Sequence, residues 1–325
     1  MRVNFIVEDL FFFKYIGSTT AAKMLLQALR NIPGLEVAWN SRQKDFDLVH
    51  FHSFGPFALW YKHWSTGISV ITAHSTPRLN RQNLAVAGLI NSLYPWIYRS
   101  FDHIVAISRG SQEEVTEMAP EVPSTLIPNG VDRKMFHPDP DKRARFRERY
   151  SIGEREWVAL TVAQQTPRKG IFDFIDVSSR CPEARWIWVG GFPYGVLSKS
   201  YGRIRRVKKM CGDNTIFTGF VPDITEAYCG ADLFFMPSYA EGMSIVILEA
   251  LASGLPCVVR RIPEFEEIFG PEGLYFSTTD EAAELVMKKD RLRAAAQEAR
   301  EFSARFDIDL VARQHYRLYQ ELLGS

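Results

Sequence analysis

The sequence predicts an α/β chain built from two doubly wound parallel sheets, and three observations predict it. Apolar runs of strand length recur between helix-like stretches, those runs are continuous in Val, Ile and Phe, and a hydrophilic segment near the middle divides them into two sets. Continuous apolar strands suit a sheet covered on both faces, and the intervening helices supply the crossovers that parallel strands require. At 325 residues the chain is long enough for two domains of about 150 residues each.

The elements follow in order. The first set of strands reads "VNFIV", "LVHFH", "SVITAH", "HIVAIS" and "TLIPNG". The second reads "WVALTVA", "RWIWVGG", "NTIFTGF", "LFFMPS", "CVVR" and "LYFS". Between them "MFHPDPDKRARFRERYSIGERE" breaks the alternation with proline, charge and a glycine turn, so a first domain is expected over 1–136, a linker over 137–155 and a second domain over 156–304. The tail 305–325 has helical spacing, with Leu310, Tyr316, Tyr319 and Leu322 as its apolar face, and is expected to pack back toward the first domain.

Composition narrows the function classes. A chain with 46% hydrophobic and 24% charged residues reads as globular, and a net charge of +1 argues against a nucleic-acid-coating surface. No apolar run reaches the roughly 20 residues of a spanning helix, and the first residues lack a secretory signal pattern, so a cytoplasmic protein is expected. Cys181, Cys211, Cys229 and Cys257 show no C-x-x-C spacing and are expected to be idle thiols. Asp139 and Asp141 lie in the hydrophilic middle segment, and no metal site is expected there.

Most of the chemistry lies in "LFFMPSYAEGMSIVILEALASGLPCVV". A buried strand should end near Ser238, a short loop should carry Glu241 and Gly242, and a helix should start near Met243 and Ser244 and include Glu249. The unsatisfied amides and positive dipole end of such a helix suit a diphosphate. A carboxylate accepts two hydrogen bonds from a vicinal diol, so Glu241 and Glu249 can each hold a sugar ring.

This stretch resembles the nucleotide-sugar motif of the retaining GT-B glycosyltransferases of family 4, and the resemblance extends over nearly the whole chain. "IVAIS" followed by "IPNGVD", then "VAQQTPRKG", "WIWVGG" and "FTGFVPDITEAYCGADLFFMPS" occur in the family's order. The resemblance implies two Rossmann-like domains facing a cleft, a nucleotide diphosphate sugar as donor and no further cofactor. Glu241 would bind the transferred hexose, the backbone of Gly242, Met243 and Ser244 would meet hexose or phosphate oxygens, and Glu249 would hold the ribose. Lys169, with Arg168 beside it, would neutralise the departing diphosphate. Where the family loop begins Gly-Arg this chain has Ala163 and Gln164, which leaves Arg168 as the replacement cation. His74, at the end of "VITAH", would face the transferred sugar, and His52 is a second candidate for the same cleft. The "PRKG" loop is similar to that of the family's lipid glucosyltransferases.

The resemblance implies retention, and same-face attack is expected over double displacement because no first-domain carboxylate suggests itself as nucleophile. The donor is expected to be UDP-linked and the acceptor a lipid or glycoconjugate. A nucleotide-sugar epimerase and a non-catalytic partner subunit are the rival readings; a dinucleotide oxidoreductase is disfavoured by the lack of G-x-G-x-x-G.

Two stretches bear on membranes. Arg78 and Arg81 precede Leu84, Leu89, Leu93, Trp96 and Ile97, a pattern that serves either a bilayer surface or a helix packed on the sheet. Lys199, Arg203, Arg205, Arg206, Lys208 and Lys209 form a basic run that either attracts anionic lipid or faces solvent. Near the start, "LFFFKYIGSTTAA" offers Gly17 for close backbone approach to a phosphate. Phe11, Phe12 and Phe13 before it border an acceptor entrance or fill space between sheet and helix.

Overall fold

The structure, a computed structural model, describes residues 1–8, 17–81, 91–192, 195 and 198–324, with the side chains of 80 and 81 excepted. The Phe11–Phe13 stretch, the Arg81 side chain, Leu84 and Leu89 lie outside the described residues.

The chain forms two compact units. The first comprises Met1–Gly130, Gly242–Ile245 and Phe306–Ser325. Its strands are β1 (Arg2–Ile6), β2 (Glu36–Trp39), β3 (Leu48–Phe51), β4 (Ile68–Ala73), β5 (His103–Ala106) and β6 (Ser124–Leu126). They form one parallel sheet in the order β2-β1-β3-β4-β5-β6. Side chains alternate faces along a strand, and β3 divides accordingly. Val49 and Phe51 join a core with Ala58 and Tyr61 of helix Pro56–Trp64 and with Tyr94, Ile97 and Tyr98 around helix Tyr94–Arg99. His50 points the other way, to Tyr319 of helix Ile308–Leu323.

The second unit comprises Val131–Glu241 and Val246–Arg305. Its strands are β7 (Trp157–Val162), β8 (Ala184–Val189), β9 (Thr215–Gly219), β10 (Leu233–Met236), β11 (Cys257–Arg260) and β12 (Leu274–Phe276). They are parallel in the order β12-β11-β10-β7-β8-β9. Trp186 and Trp188, two apart on β8, share one face, and Phe174 meets both edge-on at 5.5 and 5.0 Å between ring centroids. Each fully buried ring of this size contributes about 2–3 kcal/mol. The order of connection reverses between β7 and β10, and in open α/β sheets the crevice at such a reversal, beyond the strands' carboxyl ends, receives ligands.

Three features differ from expectation. β2 was not anticipated, because "EVAW" is a short edge strand with only partly buried residues and carries no continuous apolar run. Residues 137–155, expected as a linker, hold helix Pro140–Arg149 within the second unit. Asp139 caps it, and four arginines dock it: Arg143 and Arg147 on Asp232, Arg145 and Arg149 on Glu226. The terminal helix buries Ile308, Val311, Ala312, His315, Leu318 and Tyr319, while Leu310 is exposed. Of the expected apolar face, Tyr319 is buried and Tyr316 and Leu322 are half-buried.

Candidate active site

The second unit builds its site at the β7/β10 reversal. After β7 the chain turns through Gln164 to Thr166, whose hydroxyl accepts from the Lys169 amide and so caps the single turn Pro167–Lys169. Gly170 closes the turn with φ +74°, and a Cβ there would stand 2.1 Å from the Pro237 carbonyl oxygen. Only glycine lets the two loops approach so closely. The Tyr239 amide donates to the Arg168 carbonyl at 2.9 Å, tying the end of β10 to the turn. Arg260, not anticipated from sequence, braces the same loop: its Nε donates to the Pro237 carbonyl at 3.2 Å and its guanidinium lies 4.1 Å from the Tyr239 ring centroid.

This arrangement brings three expected site residues together. Lys169 Nζ donates to Glu241 Oε1 at 2.6 Å and to Oε2 at 2.8 Å. Arg168 Nη1 donates to the Ala240 carbonyl at 2.5 Å and lies 3.8 Å from Glu241 Oε2. Burial pushes the Glu241 carboxyl up, but the Lys169 and Arg168 cations outweigh it and hold the group below its ordinary value. An ammonium has three N–H donors, so the chelate on Glu241 leaves Lys169 one for a ligand oxygen. Gln164 is half-buried in the turn. Its neighbour Gln165 donates to the Gly190 carbonyl and accepts from Lys208 at 2.9 Å, which draws part of the basic run into the second unit's own structure.

Glu249 lies in helix Ile245–Ala252 and is buried, with Oε2 accepting from the Tyr228 hydroxyl at 2.6 Å. Burial raises its carboxyl to about 7 against the lowering effect of that hydrogen bond. Tyr228 was not anticipated; it sits in "TEAYCG" as an ordinary buried aromatic.

The first unit holds the remaining candidates. Gly242 has no left-handed backbone, and a Cβ there would approach Ile107 at 3.3 Å and Leu79 at 3.5 Å. Met243 and Ser244 are buried, and the Met243 carbonyl accepts from Asn129 Nδ2 at 3.0 Å. Gly17 opens helix Gly17–Leu29 with no described atom within 4 Å of where its Cβ would stand, so close packing does not demand a glycine there.

His74 follows β4 and belongs to a histidine cluster that includes the second expected candidate, His52, and two histidines given no role from sequence, His50 and His315. His74 Nε2 is 3.1 Å from His52 Nδ1. His50 bridges Tyr319 at 2.6 Å and Thr72 at 2.7 Å, and His315 Nδ1 donates to the Val311 carbonyl. His52, His74, His315 and Asn129 line a cavity of about 20 Å³, room for a single water-sized group. Burial depresses all four imidazoles, His74 and His315 to about 4, so each is neutral at ordinary pH. The "HFH" alternation at the end of β3 carried the expectation for His52; His315, on the terminal helix, had no such signal.

Known proteins match on the same organisation. Residues 17–134 match the family model described as Glycosyltransferase Family 4, and residues 157–294 the one described as Glycosyl transferases group 1. The chain is 27% identical over 277 residues to an alpha-galactosylglucosyldiacylglycerol synthase of Streptococcus pneumoniae, covering 79% of this chain and 74% of that one. It is 30% identical over 203 residues to a processive diacylglycerol alpha-glucosyltransferase of Acholeplasma laidlawii, covering 60% of each. Among solved structures, sucrose-phosphate synthase from Thermosynechococcus elongatus superposes with a TM-score of 0.83 at 18% identity over 99% of both chains. Anabaena Alr3699/HepE in complex with UDP-glucose gives 0.80 at 18% identity, over 100% of this chain and 99% of that one. With both halves of the chain matching this one group and its fold, the chain is a GT-B glycosyltransferase of family 4.

Proposed function

We propose that this enzyme transfers a hexose from a UDP-linked sugar to the hydroxyl of a lipid acceptor, with retention at the anomeric carbon and without a metal ion. The observation that carries the reading is the buried Lys169–Glu241 chelate with Arg168 beside it, placed at the sheet reversal where a donor is expected. Glu241 accepts from the hexose hydroxyls and so orients the anomeric carbon. Lys169 and Arg168 meet the negative charge that develops on the diphosphate as its bond to the sugar breaks, which is the role a divalent ion would otherwise fill. Glu249, once ionised, accepts from the ribose diol.

Retention by same-face attack is supported by the groups available. Glu241 is already committed to Lys169, and the first-unit candidate is the neutral His74 imidazole, which can accept from a sugar hydroxyl without repelling an oxocarbenium-like centre. The acceptor oxygen forms its bond to the anomeric carbon as the bond to the diphosphate breaks, and a phosphate oxygen of the leaving group takes the acceptor proton. The lipid acceptor is supported by the two diacylglycerol-named relatives. Among the described residues no helix is long and apolar enough to cross a membrane, so a lipid acceptor would be met from the bilayer surface.

Thermal-shift screening against UDP-glucose, UDP-galactose, UDP-N-acetylglucosamine and GDP-mannose is expected to select a UDP-hexose. Product NMR with diacylglycerol and excess EDTA is then expected to show an α-linkage. Lys169→Ala should lower kcat by about 100-fold or more while leaving the fold intact. A β-linked product, abolition by EDTA or an active Lys169→Ala variant would each overturn its part of the reading.

A further inference from the structure

His52 follows β3 and His74 follows β4, the strand paired beside it, so the two rings meet at the carboxyl ends of neighbouring strands in the first unit. Their centroids are 5.4 Å apart, with 3.1 Å between His52 Nδ1 and His74 Nε2. The difference is only what two ring radii take up, so both nitrogens lie on the line joining the centroids. A ring nitrogen carries its proton or lone pair along that direction, and the contact is an aligned N–H···N bond in which one ring donates and the other accepts. Phe5 and His50 lie against the His52 ring, with centroids at 4.8 and 4.3 Å, and keep it in this orientation. His74 is half-buried and its Nδ1 makes no hydrogen bond among the described residues, so Nδ1 is the atom this ring has left for a ligand.

Which ring donates is set at the other end of His52. Its Nε2 is buried without a partner among the described residues, and His52 lines the cavity of about 20 Å³, room for one water. Two other lining residues offer lone pairs. His315 gives its Nδ1 proton to the Val311 carbonyl, which leaves a neutral ring with an acceptor at Nε2. Asn129 Nδ2 donates to the Met243 carbonyl, and its Oδ1 is an acceptor. The Thr72 hydroxyl is engaged by His50 at 2.7 Å. A water that donates both hydrogens to these acceptors has only its oxygen lone pairs left, and so requires a donor from His52. His52 is then protonated at Nε2 and bare at Nδ1, which makes His74 the donor of the pair through its Nε2–H. Burial keeps each of the two imidazoles neutral, with one proton apiece.

We propose that His52 is a positioning residue: with one water in this cavity it holds His74 in the Nε2–H tautomer, so that Nδ1 presents a lone pair to a hydroxyl of the transferred sugar. The proposal rests on the reading that His74 faces that sugar. It gives His52 a task distinct from contact with the ligand, because the hydrogen bond made by one imidazole nitrogen fixes what the other can do. In the opposite tautomer Nδ1 would be a donor and could not accept from the hydroxyl.

The test uses the full chain labelled with nitrogen-15 histidine at neutral pH, read by two-bond proton–nitrogen correlation, which separates protonated from bare ring nitrogens. His52 and His74 should both be protonated at Nε2 and bare at Nδ1, with cross-relaxation from water to the His52 Nε2 proton. Either ring protonated at Nδ1 instead, or no transfer from water, would overturn the proposal, and these spectra need no variant to fold. His52→Leu would leave an Nε2–H facing leucine, so it should move His74 toward the Nδ1–H form and lower kcat/KM for the UDP-hexose by about tenfold or more. His52→Asn, whose Oδ1 can still accept from His74, should keep the tautomer and stay within about threefold of the parent. In a His74→Leu background the His52→Leu change should add less than about threefold, because it acts through His74. A His52→Leu protein that keeps the parent tautomer, or that loses as much again without His74, would reduce His52 to a structural residue. A changed tautomer with unaltered kcat/KM would uphold the His52 bond while overturning the sugar-facing reading of His74, so the two failures are distinguishable.

Discussion

Glu241 and Glu249 are both buried, yet their protons behave in opposite ways. Glu241 has two cations within reach and stays ionised; Glu249 has only a phenol, so burial prevails and its carboxyl rises to about 7. A ribose diol donates hydrogen bonds, so donor affinity should improve as pH rises through about 7 and level off once Glu249 is ionised. The Tyr228 hydroxyl opposes the rise, and Tyr228→Phe should therefore move the inflection of donor KM to higher pH while leaving kcat at saturating donor nearly unchanged. A KM–pH profile that keeps its inflection in Tyr228→Phe would remove Tyr228 from this role. Lys169, Glu241 and Glu249 were legible because each is a charged residue beside a strand end or small-residue helix. Tyr228, Arg260 and Asn129 were not, since a buried aromatic, a strand-end arginine and a loop asparagine look ordinary until their partners are known.

At the scale of elements, the turn from β7 to helix Ile171–Arg180 makes the site possible. Gly170 is in the left-handed region and directly against the Pro237 carbonyl. Gly170→Ala should cost on the order of 2–4 kcal/mol, combining the left-handed penalty with displacement of the β10 loop. Calorimetric melting should show that loss, and kcat/KM should fall with it because Lys169 and Glu241 ride on the two loops being separated. A melting temperature within a degree of the parent would show that the turn relaxes without harm. Eleven of the twelve strands among the described residues were readable from their apolar runs; β2 was not, because an edge strand needs burial on fewer sides. The terminal helix was readable as a helix, and Tyr319 of its expected apolar face is buried; His315 on the same buried stripe was not anticipated, because a histidine reads as polar.

At the scale of the molecule, the two units differ in their response to acid. The first buries His50, His52, His74 and His315 in neutral form, all with depressed values in the folded state. Such groups contribute stability that is complete above the unfolded imidazole value near 6.5 and is lost as pH falls toward and through about 4. For His315 alone the loss is on the order of 3 kcal/mol. Melting followed between about pH 7 and pH 5 should therefore show the first unit weakening ahead of the second, with hydrogen exchange at β3 and β4 as the local readout. Uniform protection at both pH values would rule this out. The sequence by itself determined two doubly wound sheets and the charged residues of the loop after β7, because strand periodicity and loop chemistry are local in the chain. Only the tertiary structure decided that 137–155 belongs to the second unit, that His52 and His74 meet at 3.1 Å and that Tyr228 donates to a buried Glu249. Those facts depend on contacts between residues distant in sequence, whose desolvation and hydrogen bonding exist only once the sheets are formed.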